Sequence, residues 1–90
     1  MSKNSKTLIL KFIFKINNKM KETDEEILSF LSRQRELVTT ADVARGIRKP
    51  WATVQLHLLT LLANGLVSHS IIGRSHVWRI SEEGKRAIGR

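Results

Sequence analysis

Two helix signals separated by a short turn, with a Gly-centred hairpin straight after them, constrain this chain more than anything else in it. The first signal is Thr39-Thr40-Ala41-Asp42-Val43-Ala44-Arg45-Gly46-Ile47. Thr40 or Thr39 can cap the helix N-terminus, Val43, Ala44 and Ile47 turn inward, and Gly46 permits the exit after Arg45. The second signal starts at Pro50, whose missing N–H suits a first helical turn. It ends at Asn64-Gly65, a C-terminal stop. Val54, Leu58 and Leu61 repeat at helical spacing and supply its core stripe.

The hairpin register follows from burial. With Gly73-Arg74 as a two-residue loop, Val67, His69, Ile71, His76, Trp78 and Ile80 share one face, and Ser68, Ser70, Ser75, Val77 and Arg79 the other. A three-residue loop mixes apolar and polar residues on both faces, so the two-residue register is expected. Gly in the first loop position fits a type II′ turn. A short helix, a turn, a longer helix and a β-ribbon place one helix N-terminus and one hairpin tip on the same side of a small domain. The expected class is mainly α with a small β-hairpin wing (α+β).

Upstream, Thr23-Asp24-Glu25-Glu26 has capping-box spacing and is expected to open a first core helix to about Ser32, with Ile27, Leu28, Phe30 and Leu31 as its apolar face. Residues 33–38 read as a connector. Ser81-Glu82-Glu83 opens a last short helix. Residues 1–22 read as a basic and apolar extension, and residues 23–90 as the main domain. Within the extension, Ile9, Phe12, Ile13, Ile16 and Met20 form a helical stripe, while Leu8, Leu10, Phe12, Phe14 and Ile16 also alternate as in a strand; length favours the helix.

Ninety residues make one domain, with a thin core that hides about 60–65% of the unfolded surface. With no cysteine, disulfides and thiolate metal sites are excluded, which fits a reducing cytoplasm. The apolar-rich run of residues 8–16 is far short of the roughly 20 residues that span a bilayer. The net charge is +8 and unevenly placed: residues 1–21 hold six lysines and no acid, and residues 22–90 hold ten Lys and Arg against eight Asp and Glu. Such an excess favours a polyanion, and nucleic acid is the commonest one. No catalytic constellation or Gly-rich phosphate loop appears, so an enzyme is not expected.

Thr53-Val54-Gln55-Leu56-His57-Leu58, then Leu61 and Asn64-Gly65-Leu66-Val67, resembles the recognition helix of winged-helix transcriptional regulators. It is similar to the arsenical-resistance repressor group and its small prokaryotic relatives. Residues 40–44 resemble their second helix, and residues 78–85 resemble the segment where the wing closes and the final helix begins. The resemblance covers about residues 24–88. It implies a winged helix-turn-helix that binds double-stranded DNA as a cytoplasmic regulator, with helix 50–64 in the major groove and wing 67–80 on the backbone or minor groove. Metal-sensing members of that group carry a cysteine pair, which this chain lacks, so no cofactor and no small-molecule effector is expected.

The candidate DNA contacts are Thr40, Arg48, Lys49, Trp51, Ala52, Thr53, Gln55, Arg74 and Ser75. Arg48 and Lys49 precede the recognition helix, where phosphate contact is expected. Trp51 is either presented to DNA or caps the second helix. Gln55 either bonds adenine with both amide ends or is an ordinary exposed glutamine. Thr40 and Thr53 lie near helix N-termini, where hydroxyl and backbone N–H can hold a phosphate together. Arg74 at the hairpin tip is the wing candidate for minor groove or phosphate. His57 is expected to pack beside the core, and His69 with His76 lacks a third metal ligand.

Leu56, Leu59 and Leu62 exceed what the core stripe needs and call for a cover. The apolar N-terminal segment is available for that, and a homodimer is the expected assembly. A rival reading uses the same leucines: a winged helix that docks proteins in a larger assembly.

Overall fold

The computed structural model describes residues 21–89, whose elements run in the order helix, strand, helix, helix, strand, strand, helix. Helix α1 covers residues 21–32. It is followed by β1 (Val38–Thr39), α2 (Thr40–Ile47), α3 (Trp51–Ala63), β2 (Val67–Ile72), β3 (Ser75–Ile80) and α4 (Glu82–Ala87). The expectations for residues 1–20, helix or strand and the dimer contact, lie outside the described residues. Among the described residues, no helix is long and apolar enough to cross a membrane.

The core forms where three helical stripes meet the sheet. Ile27, Leu28 and Leu31 from α1, Val43 and Ala44 from α2, and Val54, Leu58 and Leu61 from α3 pack with Val67, Trp78 and Ile80. The i, i+3, i+4, i+7 spacing of Val54, His57, Leu58 and Leu61 aims one side of α3 inward. Leu62 is half-buried against this cluster, whereas Leu56 and Leu59 are 62% and 46% exposed. The leucine surplus is therefore two residues, not three.

The sheet order is β1-β3-β2, all antiparallel. In β2 and β3, Val67 pairs with Ile80, His69 with Trp78 and Ile72 with Ser75, which leaves Gly73-Arg74 as the loop. This is the expected register. Gly73 has φ +63 and Arg74 keeps a negative φ, as a type II′ turn needs. Burial along that face is partial, though. Val67, Trp78 and Ile80 are buried, but Ile71 and His76 are exposed because the ribbon runs on past the core. Val77, on the opposite face, is buried instead.

Four local expectations change. Residues 21 and 22 are already helical, so Thr23 is a buried residue inside α1 and not its cap. Helix α2 continues past Arg45 to Ile47, and its left-handed exit is Arg48, at φ 58. Gly46 serves contact: a Cβ there would meet the Phe30 ring at 2.1 Å. Pro50 is the N-cap of α3, one residue outside the helix. Val38, expected in a connector, pairs with β3 together with Thr39 as a third strand, Val38 opposite Trp78 and Thr39 opposite Val77, while Thr39 keeps its expected place as the cap of α2. Two residues are too few for periodicity to reveal; the neighbouring strand edge recruits them.

Candidate nucleic-acid interface

Three chain segments converge on one side of the molecule. Thr39, Thr40 and Ala41 at the start of α2, Trp51 at the start of α3, and Arg74, Ser75 and His76 on the wing line an open concavity of about 260 Å³. The hairpin register and the turn between the two helices bring them together, as the order of elements implied.

The two helix starts that border this concavity are built differently. Thr39 caps α2: its hydroxyl accepts from the Asp42 N–H at 3.1 Å, and the Asp42 carboxylate accepts from the Thr39 N–H at 3.0 Å. That backbone hydrogen bond lowers the Asp42 pKa below 3.8; burial opposes the shift, and the Thr39 hydroxyl and Arg45 add to it. Arg45 closes the group, 2.6 Å from the Asp42 carboxylate. Helix α3 starts after Pro50 with no side-chain cap and no charged residue in its first turn. Among the described residues no side chain takes up its first N–H groups, and the positive end of its dipole lies there.

The candidate contacts separate into groups. Trp51 is 52% exposed, so burial over α2 does not account for it. Ala52 is exposed beside it, and Thr53 is half-buried. Arg74 is exposed at the wing turn, and among the described residues no carboxylate pairs with it. Arg48 and Lys49 lie elsewhere. Arg48 borders a groove with Glu22, Glu25 and Glu26 of α1, and the Lys49 ammonium is 3.8 Å from the Glu26 carboxylate. Acids of α1 thus share the groove with Arg48 and pair with Lys49, which the sequence spacing did not reveal.

Thr40 departs most from expectation. It is neither cap nor surface group: it is 3% exposed, and its hydroxyl is engaged on both sides. It accepts from the Trp78 indole N–H at 2.8 Å and donates to the Gln55 side-chain oxygen at 2.8 Å. Thr40 lies at the wall of the concavity, and its hydroxyl links that wall to Gln55, which is half-buried one turn beyond Trp51 and Ala52. Neither partner is near Thr40 in sequence, so no local signal shows this chain of bonds.

The histidines sort as packing groups. His57 is buried, with Nδ1 2.8 Å from the Asp24 carboxylate, which ties α3 to α1. His69 and His76 stack on the wing with ring centroids 4.9 Å apart and a 2.7 Å hydrogen bond, and His69 leans on Trp78. Among the described residues, no group of three or more His, Cys, Asp or Glu is placed to hold a metal ion.

No protein-family model matches the chain, and no curated protein sequence matches it. Solved structures do match. An apo mutant of Lactococcus lactis ZitR superimposes with a TM-score of 0.67 at 23% identity, covering 98% of this chain and 67% of ZitR. Wild-type L. lactis ZitR, solved in complex with DNA, has a TM-score of 0.64 at 26% identity over 73% of this chain. A MarR-family transcriptional regulator from Silicibacter pomeroyi has a TM-score of 0.69 at 16% identity over 90% of this chain. The chain spans 46% of the DNA-bound ZitR chain and 62% of the Silicibacter one. With the expected order of elements, register and paired helices all present, the protein has the winged helix-turn-helix fold that these structures share.

Proposed function

We propose that the protein is a sequence-specific double-stranded DNA-binding protein that acts as a transcriptional regulator. The observation that carries this is the convergence, on one concave side, of a helix start without a side-chain cap, a half-exposed tryptophan and a wing arginine that pairs with no carboxylate among the described residues. Helix α3 enters the major groove with Trp51, Ala52, Thr53 and Gln55 toward the bases. Its first N–H groups, which no cap side chain takes up, meet phosphates. Arg74 contacts the backbone or minor groove. Helix α3 has no Lys, Arg, Asp or Glu, so charge-driven affinity comes from outside it: Arg74 and the lysines of residues 1–21. DNA bound by the similarly folded ZitR supports the reading. The regulator works as a homodimer through residues 8–20, in the cytoplasm, without enzymatic activity or a cofactor.

Selection of preferred duplexes from a random pool, followed by salt titration of the best one, tests this. A defined motif is expected, with affinity falling steeply as salt rises. Arg74→Ala flattens the slope of log affinity against log salt by about 0.9 if one phosphate contact is lost. A second reading, a protein-docking module, draws on the exposure of Leu56 and Leu59. A pool that stays flat after selection favours that module and rejects the regulator.

A further inference from the structure

The Trp78–Thr40–Gln55 chain of hydrogen bonds runs in one direction. An indole N–H can donate but not accept. Thr40 therefore accepts from Trp78, and since among the described residues its hydroxyl meets no acceptor other than Gln55, its one proton is donated there. The group it meets is the Gln55 amide at 2.8 Å, and only the oxygen end of an amide accepts. The two ends of a glutamine amide are nearly equal in size, so packing alone seldom decides between them. Here the donor-only indole decides.

The consequence lies at the other end of the amide. The Gln55 oxygen rests against a buried hydroxyl, and among the described residues no hydrogen bond takes up the nitrogen of this half-buried side chain, whose two N–H protons can meet a base. Glutamine reads adenine in the major groove by using both ends at once: oxygen to the N6 amino group and nitrogen to N7. Gln55 has its oxygen committed, so that pairing is disfavoured. Guanine presents two adjacent acceptors, O6 and N7, and matches two N–H protons. Cytosine presents a donor and is rejected.

We infer that Thr40 is a positioning residue that fixes the Gln55 amide as a hydrogen-bond donor, so that the chain selects guanine at the base pair Gln55 meets. This rests on α3 being the DNA-reading helix.

The test uses the full chain and the duplex recovered by selection, with each base pair permuted in turn. Wild-type protein is expected to prefer guanine at one position, by roughly 10- to 100-fold over adenine or cytosine. Gln55→Glu keeps an oxygen for Thr40 and presents a second oxygen as acceptor, so the preference at that position moves to cytosine. Thr40→Ser keeps the hydroxyl and keeps guanine. Thr40→Val frees the amide, and the guanine-to-adenine ratio falls to within a few-fold. Thr40→Val also strands the Trp78 N–H; if that variant does not fold, Gln55→Glu and Thr40→Ser still decide. A guanine preference unchanged in Gln55→Glu, an adenine preference in wild type at the Gln55-dependent position, or full discrimination by folded Thr40→Val overturns the inference while leaving DNA reading intact. A pool with no preferred sequence overturns both.

Discussion

The starts of α2 and α3 lie eleven residues apart and solve the same problem in opposite ways. Every helix begins with N–H groups that lack an intrahelical partner. At α2 the chain answers with its own groups, Thr39 at the cap and Asp42 three residues on, braced by Arg45. At α3 the equivalent positions are Pro50 and Thr53, and no side chain closes the end. The two indoles repeat the contrast. Trp78 is fully buried with its N–H bonded, and Trp51 is half in solvent at the open helix end. A closed start serves stability. An open one beside an exposed aromatic and an exposed arginine has groups to spare for a ligand.

The largest test of this contrast sets the two tryptophans against each other. Trp78→Ala is expected to cost about 3–5 kcal/mol of folding stability, read as a fall in the urea midpoint, because it empties the centre of the core. Trp51→Ala is expected to leave stability within about 0.5 kcal/mol. It should instead weaken binding to the selected duplex by about 1–3 kcal/mol. Equal loss of stability in both variants would mean that Trp51 is a structural group and that the α3 start is not open in the sense used here.

A smaller effect sharpens the comparison at the caps. Thr39→Ala removes the side-chain cap of α2 and should cost about 1 kcal/mol in urea unfolding. Thr53→Ala, at the matching turn of α3, removes a hydroxyl with no hydrogen bond to another described residue, and should cost less than about 0.5 kcal/mol. Comparable losses at the two positions would erase the distinction.

The smallest effect is on pH. The folded Asp42 carboxyl titrates below the ordinary 3.8, held there first by the Thr39 backbone N–H. A folded pKa below the unfolded one adds stability that is complete above the unfolded value and lost as pH falls through the folded one. Since this carboxylate is 40% exposed, the loss should be only a few tenths of a kcal/mol. Asp42→Asn removes its share of the acid sensitivity, so the variant's urea midpoint should fall less between about pH 5 and pH 2 than that of the wild type. An identical fall in both proteins would show that the Asp42 bonds contribute nothing.

Much of the fold could be read along the chain because its signals are local. The 3.6-residue stripes of α2 and α3, the Asn64-Gly65 stop and the Ser81 cap each act within a turn or two of helix. The wing register was legible for a related reason: a one-residue slip would move Trp78 and Ile80 to the wrong face. At the tip the buried face ends: Ile71 is 62% exposed, past the reach of the core. In the candidate site, Trp51, Arg74 and Ser75 were found from their places at a helix start and a turn, and they line one concavity. Arg48 and Lys49 were chosen by the same logic, yet they border the acids of α1, more than twenty residues upstream.

By itself, then, the sequence determined which segments are helical, the stop at Asn64-Gly65, the hairpin and its register, since periodicity, caps and turn residues act on near neighbours. Tertiary structure alone decided that Val38–Thr39 joins the sheet, that Gly46 makes room for Phe30, and that Asp24 holds His57. It also decided that Thr40 sits between Trp78 and Gln55, a link between residues 38 and 15 positions away along the chain. A hydrogen bond depends on distance and direction in space, and until the chain has folded, nothing in a residue's neighbours along the sequence sets either.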